Sequence, residues 1–315
     1  MLTRALTLTM ASLLPLAVAA STKTNVPPSP DGSGSTPEGV VVSAPEPRYV
    51  APTLRDQIGR VWAPVYINGR GPFRLVLDTG ANSSAVIASL ASRIGAPIVP
   101  NALKLHGVTG SSLVPAIHVD SVEVGDLWLG NRQLAVVQDV FGGAEGVLGA
   151  DGLRDMRVFI DFRHDRISIR RSGPTAFSAR YTRVPISLKE DHLLTFNVKV
   201  AGVRTKALLD TGAQRTIGNR ALQAALERKE RRGVASSIIG VTLDVQQGHT
   251  FSAPPVRIKD ITIRGMHITF GDMYIFDAWD MTEKPALLIG MDIIGLLDSL
   301  IIDYKREELY LRARR

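Results

Sequence analysis

The 315-residue sequence predicts an all-β protein built from two homologous lobes, and three observations carry that prediction. First, Asp-Thr-Gly-Ala occurs twice, at 78–81 and 210–213, each time after an apolar strand-like run, Phe73 to Leu77 in one copy and Lys206 to Leu209 in the other. Second, an apolar pair, a glycine, one residue and an aspartate recur as Val147-Leu148-Gly149-Ala150-Asp151 and Leu288-Ile289-Gly290-Met291-Asp292. Third, an alternating hairpin pattern follows each of these: Val158 to Phe162 with Ile167 to Ile169, and Leu300 to Tyr304 with Leu309 to Leu311. The paired features are 132 residues apart (78 to 210), 141 (149 to 290) and 142 (161 to 303), so the repeat spans whole lobes with small differences in loop length.

Taken along the chain, Met1 to Arg4 give a positive start, Ala5 to Leu16 an apolar core and Ala17-Val18-Ala19 a small-residue cleavage site. Residues 1–19 therefore read as a secretory signal peptide, with an uncleaved anchor as the alternative. Residues 20–56 are rich in Pro, Ser, Thr and Gly and read as a linker, or as a pro-segment whose apolar end Val40-Val41-Val42 occupies a cleft. The N-terminal lobe is expected over 57–172, an interlobe linker over 173–183 from the turn formers Ser172-Gly173-Pro174-Thr175, and the C-terminal lobe over 184–315. Strands are expected at Val61 to Ile67, Leu75 to Leu77, Ile117 to Val124, Leu134 to Val137, Leu194 to Val200, Val256 to Ile263 and Met266 to Phe270. Helices are expected at Ala85 to Ile94 and Asn219 to Arg232, with the mixed charges from Glu227 to Arg232 on a solvated face.

The two Asp-Thr-Gly-Ala turns carry the chemistry. Two carboxyl groups about 3 Å apart cannot both ionise cheaply, so they share a proton and divide the roles of base and acid. A water held between Asp78 and Asp210 is then deprotonated by one while the other polarises a carbonyl. Gly80 and Gly212 allow backbone amides to approach those carboxylates, and the hydroxyls of Thr79 and Thr211 can both donate and accept across the junction. Ala81 and Ala213 complete the turns.

This ordered set of residues resembles the aspartic proteases of the retropepsin and pepsin group over nearly all of 57–315: retropepsin-like in its motifs, pepsin-like in its single-chain plan. The resemblance implies two acid-protease-type β-barrel lobes of six to seven strands with a catalytic cleft between them. It makes Asp78 and Asp210 the catalytic dyad and Thr79 and Thr211 an interlocked pair beneath it, and it places Gly149 and Gly290 in the strands framing the catalytic loops. Three departures bear on function. Alanine stands where pepsin-like enzymes have a serine after Asp-Thr-Gly, so a dyad titrating above that of pepsin and working at mildly acidic pH is expected. Asn82 and Gln214 are neutral where retropepsins carry a substrate-contacting aspartate, and no tyrosine lies between Ala85 and Asp126, the flap interval of pepsin-like enzymes. Flaps are still legible as Gly107-Val108-Thr109-Gly110, with Gly240-Val241 in the second lobe, although the same residues suit ordinary hairpin turns. His106, beside the first, reads as a substrate contact or as a surface histidine.

Other classes fare poorly. None of the six histidines has metal-ligand spacing and no Gly-x-Ser-x-Gly elbow occurs, so neither a metal nor a cofactor is implied. The net charge of +7, or +6 without residues 1–19, comes with no aromatic-basic motif and implies no nucleic acid. The chain has no cysteine, hence no lipoprotein attachment site and no disulfide framework, a profile suited to the bacterial periplasm. The expectation is a secreted, monomeric aspartic endopeptidase acting on polypeptide, without a stable membrane span once the signal is removed. The alternatives are a peptide-binding pseudoprotease and a narrowly specific regulatory protease of an envelope protein.

Overall fold

The computed structural model describes residues 7–9, 13–14, 60–174, 178–190, 192–226, 234–240 and 242–314. These form two large curled sheets with the same strand order and a third sheet that joins them.

In the first lobe the order from the flap edge is Ile98–His106, Ser111–Val119, Arg132–Val137, Ala85–Ile87, Gly146–Leu148, Arg70–Leu77, Trp62–Ile67, Val122–Val124 and Leu127–Leu129. The second lobe repeats it with Val234–Gly240, Val245–Ser252, His267–Phe270, Ile217–Gly218, Ala286–Ile289, Val203–Leu209, Leu193–Val200, Val256–Ile258 and Ile261–Ile263. With the short strands Thr7–Thr9 and Leu13–Leu14 at the flap edges, and Ser187–Lys189 paired to Leu193–Val200 in the second lobe, the sheets have ten and eleven strands among the described residues. That exceeds the six to seven expected per lobe, because several strands are only two or three residues long and carry no legible alternation.

The strand before each aspartate explains the apolar runs. Arg70–Leu77 lies between an antiparallel neighbour, Trp62–Ile67, and a parallel one, Gly146–Leu148. Its last three residues, Leu75, Val76 and Leu77, are fully buried, as a strand covered on both faces requires. Leu209 follows the same logic, with Ala286–Ile289 alongside in parallel. The opening hairpin of each lobe turns on two left-handed residues, Asn68-Gly69 (φ 51 and 67) and Ala201-Gly202 (φ 49 and 88), the backbone that a two-residue hairpin loop prefers.

Four expectations need correction. Ala85–Ile87 is a strand and the helix is only Ala88–Ile94, because Val86 and its neighbours fill the slot between Arg132–Val137 and Gly146–Leu148. The second helix is Arg220–Leu226, with the Asn219 side chain accepting from the Leu222 N–H as its cap; residues 227–232 lie outside the described residues. The run Ile117 to Val124 breaks at Asp120 and Ser121, whose N–H groups donate to the Asn68 side chain. The run Val256 to Ile263 is a hairpin turning at Lys259, φ 55. The short helices Tyr274–Ala278 and Met291–Ile294 had no legible periodicity.

The joining sheet is five-stranded, in the order Arg166–Arg171, Met156–Asp161, Leu297–Asp303, Glu308–Ala313 and Thr182–Pro185. The hairpin that closes each lobe thus pairs with its counterpart, Phe159 opposite Ile301. The apolar core runs through both lobes and this sheet, and a second cluster around Trp279, Phe276 and Ile275 sits in the C-terminal lobe.

Candidate active site

The strands Arg70–Leu77 and Val203–Leu209 each end on an aspartate, and the fold brings the two turns face to face. Asp78 N–H donates to Leu148 O at 2.9 Å and Asp210 N–H to Ile289 O at 3.0 Å, tying each turn to the strand beside it. Each inner carboxyl is held by its own loop. Asp78 Oδ1 accepts from the N–H groups of Gly80 (2.8 Å) and Ala81 (3.1 Å), and Asp210 Oδ1 from those of Gly212 (2.9 Å) and Ala213 (3.0 Å). The alanines therefore supply backbone amides where a serine would add a hydroxyl.

Thr79 and Thr211 interlock. Thr79 N–H donates to Thr211 Oγ1 and Thr211 N–H to Thr79 Oγ1, both at 3.1 Å. The hydroxyls in turn donate to Leu209 O (2.8 Å) and Leu77 O (2.6 Å) on the opposite strands. Four buried hydrogen bonds thereby fix the spacing of the two loops.

Both aspartates are fully buried and within hydrogen-bonding reach of one another. Their Oδ2 atoms accept from no N–H or hydroxyl among the described residues, which leaves a proton shared by the pair as their partner. Burial raises both carboxyls above the usual range. At Asp78 the Gly80 N–H, the hydrogen bond with Asp210 and, after them, the Arg60 guanidinium oppose burial, and at Asp210 the charge of Asp78 adds to it.

The glycines have steric reasons. A Cβ on Gly212 would lie 2.2 Å from the Asp78 carboxyl carbon. One on Gly149 would meet the backbone of Ser83 at 2.5 Å, and one on Gly290 that of Arg215 at 2.7 Å, so the framing strands press directly on the catalytic loops. Sequence reasoning missed the polar brace that accompanies this contact. Ser84 Oγ donates to Asp151 Oδ1 (2.8 Å) and accepts from Gly149 N–H (3.1 Å); Thr216 Oγ1 donates to Asp292 Oδ1 (2.7 Å) and accepts from Gly290 N–H (3.2 Å). The signal was present: Ser84 and Thr216 each lie six residues after a dyad aspartate, and Asp151 and Asp292 are the aspartates of the second repeated motif. Arg132 also donates to Asp151, at 2.5 Å, while burial raises the Asp292 carboxyl.

Gly107, Val108 and Gly110 lie at the tip of the hairpin between Ile98–His106 and Ser111–Val119, and the tip is docked on the other lobe. Val108 is fully buried in the cluster of Ile275, Phe276 and Trp279, and its carbonyl accepts from Ile275 N–H at 3.1 Å. Gly110 packs against Asp244 of the second hairpin. His106 is half-buried, and its Nδ1 lies 2.6 Å from the Tyr274 hydroxyl with the rings stacked at 5.8 Å. Burial, and then Lys104, push the imidazole below its ordinary range, with Glu190 opposing. The flap interval, which has no tyrosine of its own, is thus contacted by one from the opposite lobe. Gly240 ends the strand Val234–Gly240, and Val241 lies outside the described residues.

A cavity of about 410 Å³ opens beside the first catalytic loop, lined by Asn82, Asp151, Arg154, Glu190 and His192. Asn82, neutral itself, thus shares this cavity with charged side chains of both signs. Among the described residues no group of His, Asp and Glu is placed to hold a metal ion.

The family comparison agrees with this geometry. The model of the gag-polyprotein putative aspartyl protease matches residues 63–155, and the aspartyl protease model matches residues 196–293, one on each lobe. With two aspartyl protease domains in tandem, the chain belongs to the retropepsin-like aspartic proteases and is a peptide hydrolase. No individual curated protein matches it by sequence.

Proposed function

We propose that the protein is a secreted, single-chain aspartic endopeptidase in which Asp78 and Asp210 activate one water molecule. The observation that carries this reading is the buried pair of carboxyls, each bound to its own loop on one oxygen and facing the other with the second. With the shared proton on Asp210, Asp78 is the base. Asp78 takes a proton from the water as its oxygen attacks the peptide carbonyl, and Asp210 gives its proton to the carbonyl oxygen. The resulting gem-diol collapses as Asp78 passes its proton to the departing amide nitrogen and a diol hydroxyl returns a proton to Asp210. No acyl-enzyme forms, and the dyad ends as it began.

The substrate is an extended polypeptide. Two short segments of the chain itself lie along the flap edges in that manner: Thr7–Thr9 pairs in parallel with Lys104 to His106, and Leu13–Leu14 antiparallel with Ile239 and Gly240. An extended substrate adding a strand to these edges gains main-chain hydrogen bonds independent of its sequence. Export to the periplasm rests on the leader-like residues 1–19 and the absence of cysteine. Among the described residues no helix is long and apolar enough to cross a membrane.

The test is cleavage of a denatured protein between about pH 3 and 7, the window of a proton-sharing carboxyl pair. Wild type, Asp78→Asn and Asp210→Asn are compared. Activity in the wild type alone is expected. Cleavage surviving both substitutions would overturn the mechanism, and a folded wild type that binds peptides without cutting them would point to the pseudoprotease.

A further inference from the structure

Burial alternates along Leu193–Val200, Val203–Leu209 and Val256–Ile258, and Asn197, Lys199, Arg204 and Arg257 are the exposed residues on the outer face of the sheet. The ladder sets three cations side by side: Lys199 is the direct partner of Arg204 on one neighbouring strand and of Arg257 on the other. Like charges directly opposite one another destabilise a sheet. Among the described residues none of the three forms an ion pair. With Lys259 they line a cavity of about 550 Å³, whose wall among the described residues is completed by Asn197 and Val198 and holds no carboxylate. The next acid in sequence, Asp260, accepts from the Thr182 hydroxyl at 2.7 Å, and Arg257 is anchored, its Nε donating to Lys259 O at 2.9 Å. An adjoining cavity of about 570 Å³ shares Asn197 and Arg204, but there the lysines are set against Asp280 and Glu283. The uncompensated charge is thus confined to the first cavity.

The repeat does not require this row. The hairpin turns Asn68-Gly69 and Ala201-Gly202 bring the lobes into register, which puts Tyr66 at the place of Lys199 and Gly71 at that of Arg204. Glu123, the strand partner of Tyr66, stands at the place of Arg257. The same outer face therefore carries a tyrosine, a glycine and an acid in one lobe and three cations in the other. Nor does the dyad require it. Arg204 lies six residues before Asp210 along an extended strand, about 20 Å at the usual rise per residue.

We propose that this cavity is a binding site for a ligand carrying closely spaced phosphate charges. Four cations are matched by a group with several negative charges, and a phosphomonoester carries about −1.5 to −2 near neutral pH where a carboxylate carries one. The planar fork of arginine also takes phosphate oxygens two at a time, and two of the four cations are arginines. A soluble diphosphate and a phosphorylated lipid headgroup share this chemistry.

Titration calorimetry of the full chain with inorganic pyrophosphate, at fixed ionic strength, is expected to show one site, with succinate binding at least about tenfold more weakly, since charge-assisted contacts of the phosphate are lost. Lys199→Gln is expected to weaken pyrophosphate binding by at least about tenfold on the same grounds. Arg257→Glu, which gives this row the residue type that the first lobe carries at Glu123, is expected to abolish it in a folded protein. Because the anion relieves the repulsion and binds only the folded chain, pyrophosphate should raise the Tm of the wild type and not that of Arg257→Glu. Vesicles of phosphatidylcholine with and without phosphatidic acid separate the sources. Capture by the phosphatidic acid vesicles alone, competed by pyrophosphate, assigns a lipid headgroup, and pyrophosphate binding without capture assigns a soluble ligand. Absence of pyrophosphate binding, equal affinity for succinate, or tighter binding of a polyglutamate peptide would overturn the proposal. Undiminished binding in either folded variant would do the same, and if one variant does not fold the other decides.

Discussion

At the scale of the residue, the dyad works by being uncomfortable. Asp78, Asp210 and Asp292 are buried with raised pKa values, and burial is the leading cause for each. A carboxyl raised above its unfolded value contributes stability that is fully present below the unfolded pKa and is lost as the pH rises through the folded one. Asp161 and Glu308 have the opposite sign: both are lowered, by hydrogen bonds to His164 and to Tyr310 and Arg183, so their contribution is lost only as the pH falls through the folded values. Tm is therefore expected to rise as the pH falls from about 7 to about 5, before the acid loss sets in. Asp210→Asn removes one of the two raised carboxyls of the dyad, so its Tm should change less over the same interval. Scanning calorimetry of both proteins at several pH values measures this, and identical slopes would show that the dyad is not the source.

At the scale of the element, the flap hairpins decide access. Val108 in the C-terminal cluster, its carbonyl bond to Ile275 and the His106–Tyr274 contact hold the first flap across the cleft, so an extended substrate enters only when the tip lifts. The position of Gly110 gives a direct test. A Cβ built on it lies 3.4 Å from Asp244 Cβ, close to the separation of about 3.5–4.5 Å in a disulfide. The natural chain has no cysteine, so Gly110→Cys with Asp244→Cys introduces its only thiols. The oxidised double variant is expected to lose at least about 90 % of its activity and to regain it with a reductant, since thiol exchange is reversible. Full activity in a protein shown by thiol titration to be oxidised would mean that substrate enters without separating the tips. This pairing also marks the limit of what sequence could reveal. The turns, the interlocking threonines and the framing glycines were legible because each recurs in the second half of the chain. Tyr274 was not, because it acts across the lobes and breaks the repeat, and the cross-lobe register depends on contacts between residues more than a hundred positions apart.

At the scale of the whole molecule, the two lobes are fused by the joining sheet, and a buried ionic knot sits where their closing hairpins meet. Asp303, fully buried, accepts from Arg157 Nε (2.9 Å) and Nη2 (2.7 Å) on Oδ2, and from the Ser172 hydroxyl (2.7 Å) and Arg306 N–H (3.2 Å) on Oδ1. Arg157 belongs to the strand that closes the first lobe, Asp303 to the one that closes the second, and the two residues are direct partners in the ladder between them. Removing one member of a buried pair leaves the other uncompensated, at a cost of about 3–5 kcal/mol. Asp303→Ala is expected to lose that much stability in urea unfolding. It should also weaken catalysis, although Asp303 lies outside the catalytic loops, because the geometry of the dyad depends on the lobes being held in register. Asp303→Asn, which keeps an acceptor for Arg157 and Ser172, should fall between the two. If Asp303→Ala unfolds like the wild type, the lobes are held by the apolar ladder of Val158, Ile160, Leu300 and Ile302 alone, and the ionic knot contributes no stability of its own.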